Sequence, residues 1–377
     1  MSRPMAVIDR DHFDTLIGEL RSRGYRVLGP TVRDGAIVHR DVRSCDDLPA
    51  GWHDEQAPGS YRIRNDGDRE LFGWAVGPTS LKASVFPSES VVWRGRRTNE
   101  GDLELSAPQG GEVREAFVGV RPCEVAALGV LSTVLSGGRF HDPEHDRRRE
   151  HLAVIAVECG QPASTCFCPS MSTGPDAKDG YDLALTELLE PSHRFLVRVG
   201  SDLGRSLLDA VPHRDAAAED LTTRDEILEN SRATISRTLD ARRAPSLLAE
   251  NLEHARWDDV ATRCLACGNC TLVCPTCFCS AFEHKTNLEG DIEVSRRWDS
   301  CFSLEHSYLH GGSVHASTRS RYRQWLTHKL STWVDQFGSS GCVGCGRCIT
   351  WCPVGIDLTE EVAAIAGTDT SRPAATT

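Results

Sequence analysis

The hydrophobic pattern divides the first half of the chain into short strands and longer helices. Three apolar runs have the length and β-branched content of buried strands: Ala116–Val120, Leu152–Val157 and Phe195–Val199. Helical spacing of apolar residues follows two of these runs, at Val125–Leu135 and Leu203–Val211. Because strands that alternate with helices are typical of layered α/β structure, the pattern predicts an α/β-type N-terminal domain over residues 1–212.

Segments nearer the N-terminus add a helix and further β structure. The spacing of apolar residues in Asp11–Arg23 predicts a helix. The predicted β segments, separated by turn-forming residues, are Tyr25–Leu28, Ala36–His39, Tyr61–Val76 and Ser84–Trp93. We expect all of these elements to belong to the N-terminal domain.

The second half of the chain has a different pattern. Charged helical segments at Thr223–Leu239 and Pro245–Val260 predict a helical connector over residues 213–262. A mainly helical, cysteine-rich domain is expected over 263–366, and the tail 367–377 is expected to be disordered. The predicted fold class is therefore α+β, with an α/β-type N-terminal domain followed by a mainly helical ferredoxin-like domain that holds two [4Fe–4S] clusters.

Composition narrows the classes of partner. The chain of 377 residues has 54 acidic and 42 basic residues, and its net charge of −12 argues against binding to nucleic acid or to an anionic membrane surface. Charges at Asp9, Arg10 and Asp11 interrupt the N-terminus, which lacks the apolar region of a secretory signal. No apolar run has the length of a membrane-spanning helix. We therefore expect a cytoplasmic protein, in which 16 cysteines indicate metal ligation.

Two cysteine runs share one spacing. Arg263–Ser280 and Gly341–Val354 both contain C-x2-C-x2-C-x3-C-P, the spacing of bacterial two-cluster ferredoxins. In that arrangement three cysteines of a run wrap one [4Fe–4S] cluster, and the fourth ligates the other cluster. The predicted ligands are Cys264, Cys267, Cys270 and Cys352 for the first set, and Cys342, Cys345, Cys348 and Cys274 for the second set.

Zinc and disulfide bonds are the alternative uses of so many cysteines. A structural zinc site usually takes two separated C-x2-C pairs, and a third cysteine two residues further on has no role in a tetrahedral site. Disulfide bonds need an oxidising compartment, which nothing in the sequence indicates. Two [4Fe–4S] clusters are therefore the favoured interpretation.

Cysteines outside the two runs are also clustered. Thr-Cys-Phe-Cys occurs twice, at 165–168 and at 276–279. The first copy lies in a loop rich in Gly, Pro and Ser that could wrap a metal site. We therefore predict a third iron–sulfur cluster, whose ligands include Cys159, Cys166 and Cys168.

The fourth ligand of this third set is open at the level of sequence. It comes either from Cys123, at the start of a predicted helix, or from a separate group: Cys277, Cys279 and Cys301. Buried thiols that pack near the clusters are the alternative to a third cluster. Cys45 is alone in its region and is expected to be structural.

Motifs for other chemistry are weak or absent. His306 and His310 share one predicted helix face, but the sequence there is not H-E-x-x-H, so we interpret both as exposed or hydrogen-bonded histidines, like His315 and His328. The chain lacks the P-loop, dinucleotide-binding and nucleophile-elbow motifs. No catalytic residue and no organic cofactor site is therefore predicted.

Several segments together resemble one protein family. They are GVRPCEVAAL (119–128), ECGQPASTCFCPSMSTGPD (158–176), RRWDSC (296–301) and GCVGCGRCITWCPVGIDL (341–358). From about Tyr25 to Leu358 the chain resembles the β subunit of cytosolic sulfhydrogenase-type, bidirectional [NiFe] hydrogenases. The electron-transfer subunit of anaerobic sulfite reductases shares these elements. Where this chain has Glu124, the family often has Asp, which keeps the carboxylate.

The resemblance implies an iron–sulfur electron-transfer subunit. Its implied partners are a flavin- and NAD(P)-binding γ subunit and the small and large subunits of a [NiFe] hydrogenase. The ending ITWCPVGIDLTEE favours the hydrogenase branch over the sulfite reductase branch. A protein whose clusters are purely structural is a further alternative, which reversible reduction of the clusters would exclude.

Overall fold

The computed structural model describes residues 5–98, 102–107, 111 and 113–367 of the chain. The tail that was expected to be disordered lies, except for Gly367, outside the described residues. The β-strands are β1 (Met5–Asp9), β2 (Arg26–Arg33), β3 (Ala36–Asp41), β4 (Trp52–Ala57), β5 (Ser60–Asn65), β6 (Glu89–Arg97), β7 (Leu103–Ser106), β8 (Glu115–Val120), β9 (Leu152–Val157), β10 (Leu183–Leu188), β11 (Arg194–Val199), β12 (Arg214–Asp215), β13 (Ser280–Thr286), β14 (Ile292–Trp298), β15 (Tyr308–Leu309) and β16 (Gly312–Ser313). The α-helices are α1 (Phe13–Ser22), α2 (Lys82–Val85), α3 (Pro122–Ser136), α4 (Pro143–Glu150), α5 (Asp202–Asp209), α6 (Ala218–Thr234), α7 (Ala244–Glu250), α8 (Arg256–Arg263), α9 (Asn269–Leu272), α10 (Thr318–Thr327), α11 (Trp333–Phe337), α12 (Arg347–Thr350) and α13 (Leu358–Ile365).

A mixed sheet forms the centre of the N-terminal part. Its strand order is β12-β1-β11-β10-β9-β8-β2-β3. Strands β2, β8, β9 and β10 are parallel to one another, and the outer pairs are antiparallel. Strand β9 is buried at every position, as expected when both faces of a parallel sheet are covered.

Helices cover the two faces of this sheet. Ile155 of β9 packs in the same core cluster as α1 and α5, whereas its neighbour Val154 packs with α3. Pro122 occupies the first turn of α3, where its missing N–H costs no helical hydrogen bond. The chain therefore passes directly from the end of β8 into α3 and places Cys123 and Glu124 in the first turn of that helix.

A second sheet joins the two halves of the chain. Strands β13 and β14 form a hairpin in the cysteine-rich half, and β14 pairs with β6, which pairs with β7. Beside this sheet Lys82 Nζ lies 3.8 Å from the centre of the Trp298 ring. The same amine donates to the carbonyl oxygens of Leu272 and Cys277, each at 3.3 Å. The N-terminal and cysteine-rich parts therefore fold against each other.

The α+β class and most predicted elements are confirmed, and the differences have physical reasons. The expected β segment Tyr61–Val76 is wrong beyond β5. The backbone there is held instead by the buried Arg121 guanidinium, which donates to the carbonyls of Phe72, Trp74 and Ala75 and so replaces a neighbouring strand. The segment Ser84–Trp93 begins in α2, and its strand starts only at Glu89.

Other elements were not predicted from the sequence patterns. Strands β1 and β10 lie inside the main sheet, yet Met5–Asp9 runs into a charged segment and Leu183–Leu188 does not alternate strictly. The cysteine-rich half contains the β13–β14 hairpin in addition to its helices. The predicted connector helices correspond to α6, α7 and α8.

Candidate iron–sulfur centres

The two cysteine runs share the same local backbone. Each run ends its loop in a short helix, α9 in the first and α12 in the second. The residues that precede these helices, Gly268 and Gly346, have φ angles of 76° and 74°, which favour glycine. Two N–H···Sγ hydrogen bonds of 3.4 Å occupy equivalent positions, from Ala266 to Cys264 and from Gly344 to Cys342. Hydrogen bonds of this kind stabilise cluster thiolates.

The first predicted set lines one cavity near the surface. The thiols that face it are Cys264, Cys267, Cys270 and Cys352, together with Cys348. Aromatic and aliphatic side chains complete the wall: Phe302, Tyr322, Trp325 and Ile356. Burial raises the pKa of Cys270, and the nearby sulfurs of its own set raise it further. Because Cys267 is exposed and Leu265 is 64% exposed, only a thin shell separates this cavity from solvent.

The second predicted set lies deeper. Burial raises the pKa of Cys348, and so do the sulfurs of the other three members, Cys342, Cys345 and Cys274. Lys329 Nζ donates to Cys274 Sγ at 3.3 Å and to the carbonyl oxygen of Gly341 at 3.1 Å. Since Lys329 is buried, its positive charge stabilises a thiolate at Cys274.

The spacing of the thiols fits clusters better than single ions. Sulfurs around a tetrahedral zinc ion lie about 3.8 Å apart, because the Zn–S bond is about 2.3 Å. Within the described part of the chain, the group of His, Cys, Asp or Glu ligand atoms that all lie within 4.8 Å of one another is His53, Asp68 and Glu70. No predicted thiol set therefore converges on one ion. The chemistry of the donors and the apolar cavity both fit an iron–sulfur cluster.

Four further cysteines meet at a second cavity beside the start of α3. They are Cys123, Cys159, Cys166 and Cys168, and each is at least nine-tenths buried. Cys345 of the second set borders the same cavity. The three cysteines of the predicted third set are thus brought together, and the structure places Cys123 with them. The group of Cys277, Cys279 and Cys301 does not line this cavity.

The loop that carries Cys166 and Cys168 is hydrogen-bonded to the second run. The backbone N–H of Phe167 donates to the carbonyl oxygen of Gly344 at 2.8 Å. Thr165 and Thr350 share a hydrogen bond of 2.8 Å between their hydroxyls. A Cβ atom on Gly344 would lie 2.7 Å from the backbone of Cys168, so this contact requires glycine.

A buried ion pair stands between the second and third sets. Arg347 Nη2 lies 2.8 Å from Glu124 Oε1, and both side chains are 1% exposed. The Arg347 guanidinium also contacts Cys345, and despite burial these negative partners raise its pKa. The sequence showed the carboxylate of Glu124 but gave no sign that Arg347 or Lys329 would be buried. Only the folded structure reveals these charges beside the thiols.

The remaining candidate residues do not join these sets. His328 Nε2 lies 3.2 Å from Gln336 Oε1, and His310 is exposed. His306 Nδ1 lies 3.0 Å from Asp299 Oδ2. Cys45 is buried, and its pKa is raised to about 12 by burial and by Asp14, as suits a structural thiol.

The cysteine-rich half matches a known family of iron–sulfur domains. A family model described as a 4Fe-4S dicluster domain matches residues 263–356. Sulfhydrogenase 2 subunit beta of Pyrococcus furiosus is 32% identical to the chain over 250 residues, which are 66% of this chain and 72% of that protein. None of the described helices is long and apolar enough to cross a membrane.

Proposed function

The chain belongs to the family of sulfhydrogenase β subunits, and we propose that it relays electrons between a flavin- and NAD(P)-binding subunit and a [NiFe] hydrogenase module. One observation carries the proposal. Three sets of thiols follow one another, from a cavity near the surface in the cysteine-rich half to a buried cavity of the N-terminal part that Cys345 borders. Iron–sulfur clusters held in such sets supply one-electron transfer without moving atoms.

Each set of thiols would hold one cluster, and the side chains around the set would control its environment. We assign Cys264, Cys267, Cys270 and Cys352 to one [4Fe–4S] cluster, Cys342, Cys345, Cys348 and Cys274 to a second, and Cys123, Cys159, Cys166 and Cys168 to a third. The aromatic wall of the first cavity shields the inner side of its thiolates from water, whereas Cys267 is exposed. Lys329 and Arg347 lower the cost of gathering negative charge around the second.

The proposal concerns a subunit without a catalytic site of its own. Its partners would be the γ subunit on one side and the small and large [NiFe] subunits on the other. The sulfite reductase branch has no observation in its favour beyond the elements that both branches share. Purely structural clusters would not need a set close to the surface.

Single substitutions in the assembled complex test the relay. Cys267→Ala and, separately, Cys345→Ala should abolish hydrogen-dependent NADP reduction. Hydrogen oxidation with a dye that docks at the hydrogenase module should stay largely intact, because the dye bypasses this subunit. Cys45→Ala, in a buried thiol outside all three sets, is the matched control and should change neither activity.

Two results would contradict the relay. One is the loss of both activities in a complex that is still assembled and loaded with nickel. The other is sulfite turnover by a purified complex that contains no nickel, which would move the assignment to the sulfite reductase branch.

Iron analysis tests the third cluster. Protein prepared without oxygen should hold about twelve iron atoms per chain, four for each cluster. Replacing both Cys166 and Cys168 with Ser should remove about four of them, because both thiols face the same cavity. An unchanged iron content in the double variant would rule out this site.

A further inference from the structure

A histidine and two carboxylates meet beside the β4–β5 hairpin, outside the three cysteine sets. His53 lies in β4, and Asp68 and Glu70 lie in the loop that follows β5. One ligand atom from each of these side chains lies within 4.8 Å of the other two. Ligand atoms around an ion with bonds of about 2.1 Å lie about 3.0–3.4 Å apart, so small side-chain rotations suffice for all three to reach one metal ion.

The imidazole of His53 presents a lone pair to the carboxylates. Its Nδ1 lies 2.7 Å from the carbonyl oxygen of Gly73, which can only accept a hydrogen bond, so Nδ1 carries the proton. Its Nε2 faces Asp68 Oδ2 at 2.8 Å and Asp66 Oδ2 at 3.9 Å, and both of these atoms are acceptors. His53 is 6% exposed. A buried acceptor nitrogen that faces acceptor oxygens requires a positive partner between them, either a second proton or a metal ion.

A further hydrogen bond orients each of the three side chains. The bond from Nδ1 to Gly73 fixes the ring of His53. Asp68 Oδ1 accepts from the backbone N–H of Glu70 at 3.0 Å, which leaves Oδ2 to face the imidazole. Gln161 Nε2 donates to Glu70 Oε2 at 2.7 Å. Hydrogen bonds of this kind to the outer atoms of ligands are typical of metal sites, where they hold the ligands in place.

Gly73 makes room for this arrangement. A Cβ atom at this position would lie 2.5 Å from His53 Cε1 and 2.8 Å from Glu70 Oε2, closer than real side-chain carbons come to other atoms. Any other residue would therefore push the imidazole and the carboxylate away from each other. Glycine at 73 lets both side chains pack over the same stretch of backbone.

We propose that His53, Asp68 and Glu70 bind a divalent transition-metal ion such as Zn²⁺, which fastens the loop after β5 to β4. One imidazole and two carboxylates are donors that suit Zn²⁺ and Mn²⁺. Asp66 is already ion-paired with Arg64 at 2.9 Å, so water would complete the coordination. The side chain of Asp68 is 44% exposed, which gives the ion a path from solvent.

The loop that the ion would fasten also covers the third cysteine set. Beyond Glu70, the carbonyl oxygens of Phe72, Trp74 and Ala75 accept hydrogen bonds from Arg121. Ala75 lines the cavity into which the third set of thiols faces. An ion at the start of this loop would therefore hold one wall of that cavity in place.

An ion pair between a His53 imidazolium and Asp68 is the alternative. It uses the same 2.8 Å contact, because a proton and a metal ion compete for Nε2. The ion pair does not need Glu70, whereas the metal site does. A substitution at Glu70 therefore distinguishes the two.

The first experiment counts zinc in the chain with its clusters loaded under anaerobic conditions. The protein is equilibrated by dialysis against Zn²⁺, and zinc and iron are measured by mass spectrometry. The unaltered chain should hold about one zinc ion more than His53→Gln or Glu70→Gln, with the same iron content in all three. His213→Gln is the matched control, because Nδ1 of His213 also bonds to a backbone carbonyl, and it should bind zinc as the unaltered chain does. Equal zinc in the unaltered chain and in both site variants would overturn the proposal.

Asp68→Asn tests the site without disturbing a buried side chain. The amide oxygen of Asn can still accept from the N–H of Glu70, so the loop should keep its fold. Zinc affinity should fall by at least about tenfold, because an amide oxygen is a weaker ligand than a carboxylate. An unchanged affinity would contradict ligation by Asp68 and with it the proposal.

X-ray absorption at the zinc edge identifies the donor atoms. With one equivalent of Zn²⁺ bound, the neighbours should be nitrogen and oxygen at about 2.0–2.1 Å. Sulfur neighbours at about 2.3 Å would place the zinc on cysteines and overturn the proposal. Mn²⁺ in a parallel titration tests the choice of ion: binding of either metal at the His53-dependent site supports the proposal, and binding of neither contradicts it.

Gly73→Ala tests the geometry while it keeps every ligand. Its Cβ atom should displace His53 and Glu70 and abolish the extra zinc ion. Gly18→Ala, at a helical glycine with open space around it, is the matched control and should leave zinc binding unchanged. Full zinc binding by Gly73→Ala would contradict a site built from these side chains.

Hydrogen exchange tests the structural role of the ion. Amides of the segment 66–76 should exchange more slowly with Zn²⁺ than without it in the unaltered chain, and at the same rate with and without Zn²⁺ in Glu70→Gln. Exchange that is unaffected by Zn²⁺ in the unaltered chain would overturn the proposal that the ion fastens this loop.

Discussion

The two C-x2-C-x2-C-x3-C-P runs have one spacing but different surroundings. The first run has Ala266 where the second has Gly344, and both residues have a positive φ, 51° and 66°. Asn269 of the first run is exposed, whereas Arg347 at the equivalent position is buried against Glu124. The two proposed ligand sets therefore share one cysteine spacing, and the residues between the cysteines differ with what packs against each set.

This difference shows which side of each cysteine set packs against the rest of the protein. The first run has room for a Cβ atom at position 266, where Ala266 is partly buried against the core of the cysteine-rich half. At 344 the backbone of the third-set loop occupies the same space. The second set thus borders the third, and the first set borders solvent. An electron partner can approach the first set most closely.

Gly344→Ala should have the largest effect on iron content of any small-residue substitution in the two runs. In Gly344→Ala the new Cβ would overlap the backbone of Cys168 and Phe167, which costs more than about 3 kcal/mol. We expect both the second and the third cluster to be lost, and iron to fall from about twelve towards about four atoms per chain. Ala266→Gly is the matched change in the first run and should alter stability by less than about 1 kcal/mol. Equal iron contents in the two variants would show that the runs have equivalent surroundings.

Cys274→Ser separates the two sets at the ligand that crosses between the runs. Its Sγ is held by Lys329 on the side of the second set. About four iron atoms should be lost, and the spectroscopic signal of the second cluster should disappear while that of the first remains. Selective loss of the cluster of Cys264, Cys267 and Cys270 would mean that ligation is not crossed.

The smallest expected effect concerns the ion pair of Arg347, the first residue of α12, and the equivalent position in the first run, Asn269. Glu124→Gln removes the carboxylate beside the buried Arg347 charge and leaves it only Cys345 and the carbonyls of Gly77 and Thr79, which should cost about 3 kcal/mol and lower the melting temperature measured without oxygen. Asn269→Ala, at the equivalent exposed position, should cost less than about 0.5 kcal/mol. A melting temperature that is unchanged by Glu124→Gln would show that water reaches this ion pair.

The first two sets could be predicted from local spacing, because each run contains both the cysteines and the turn-forming residues between them. The third set was only partly predictable. Cys159, Cys166 and Cys168 lie within one segment, but Cys123 reaches them through the β8–α3 connection, which depends on strand order in the main sheet. Sequence alone therefore left two sources for the fourth ligand.

Buried charges were the least predictable feature. Nothing in the residues around Lys329 distinguishes it from a lysine on a solvent-exposed helix. Its burial follows from the π-helical turn His328–Thr332 and from the packing of the second run against it. The misassigned β segment before residue 76 has a similar origin, because its backbone partner is the distant side chain of Arg121.

The sheet that β6 and β7 share with β13 and β14 limits how the cysteine-rich half can be used in isolation. A fragment that starts at Arg263 would keep every cysteine of the two runs but would leave the edge of β14 unpaired. During synthesis the ribosome releases β6 long before β14, so the docking edge is ready when the hairpin emerges. We therefore expect that the dicluster segment does not fold as an independent ferredoxin module, because β14 pairs with a strand made almost two hundred residues earlier.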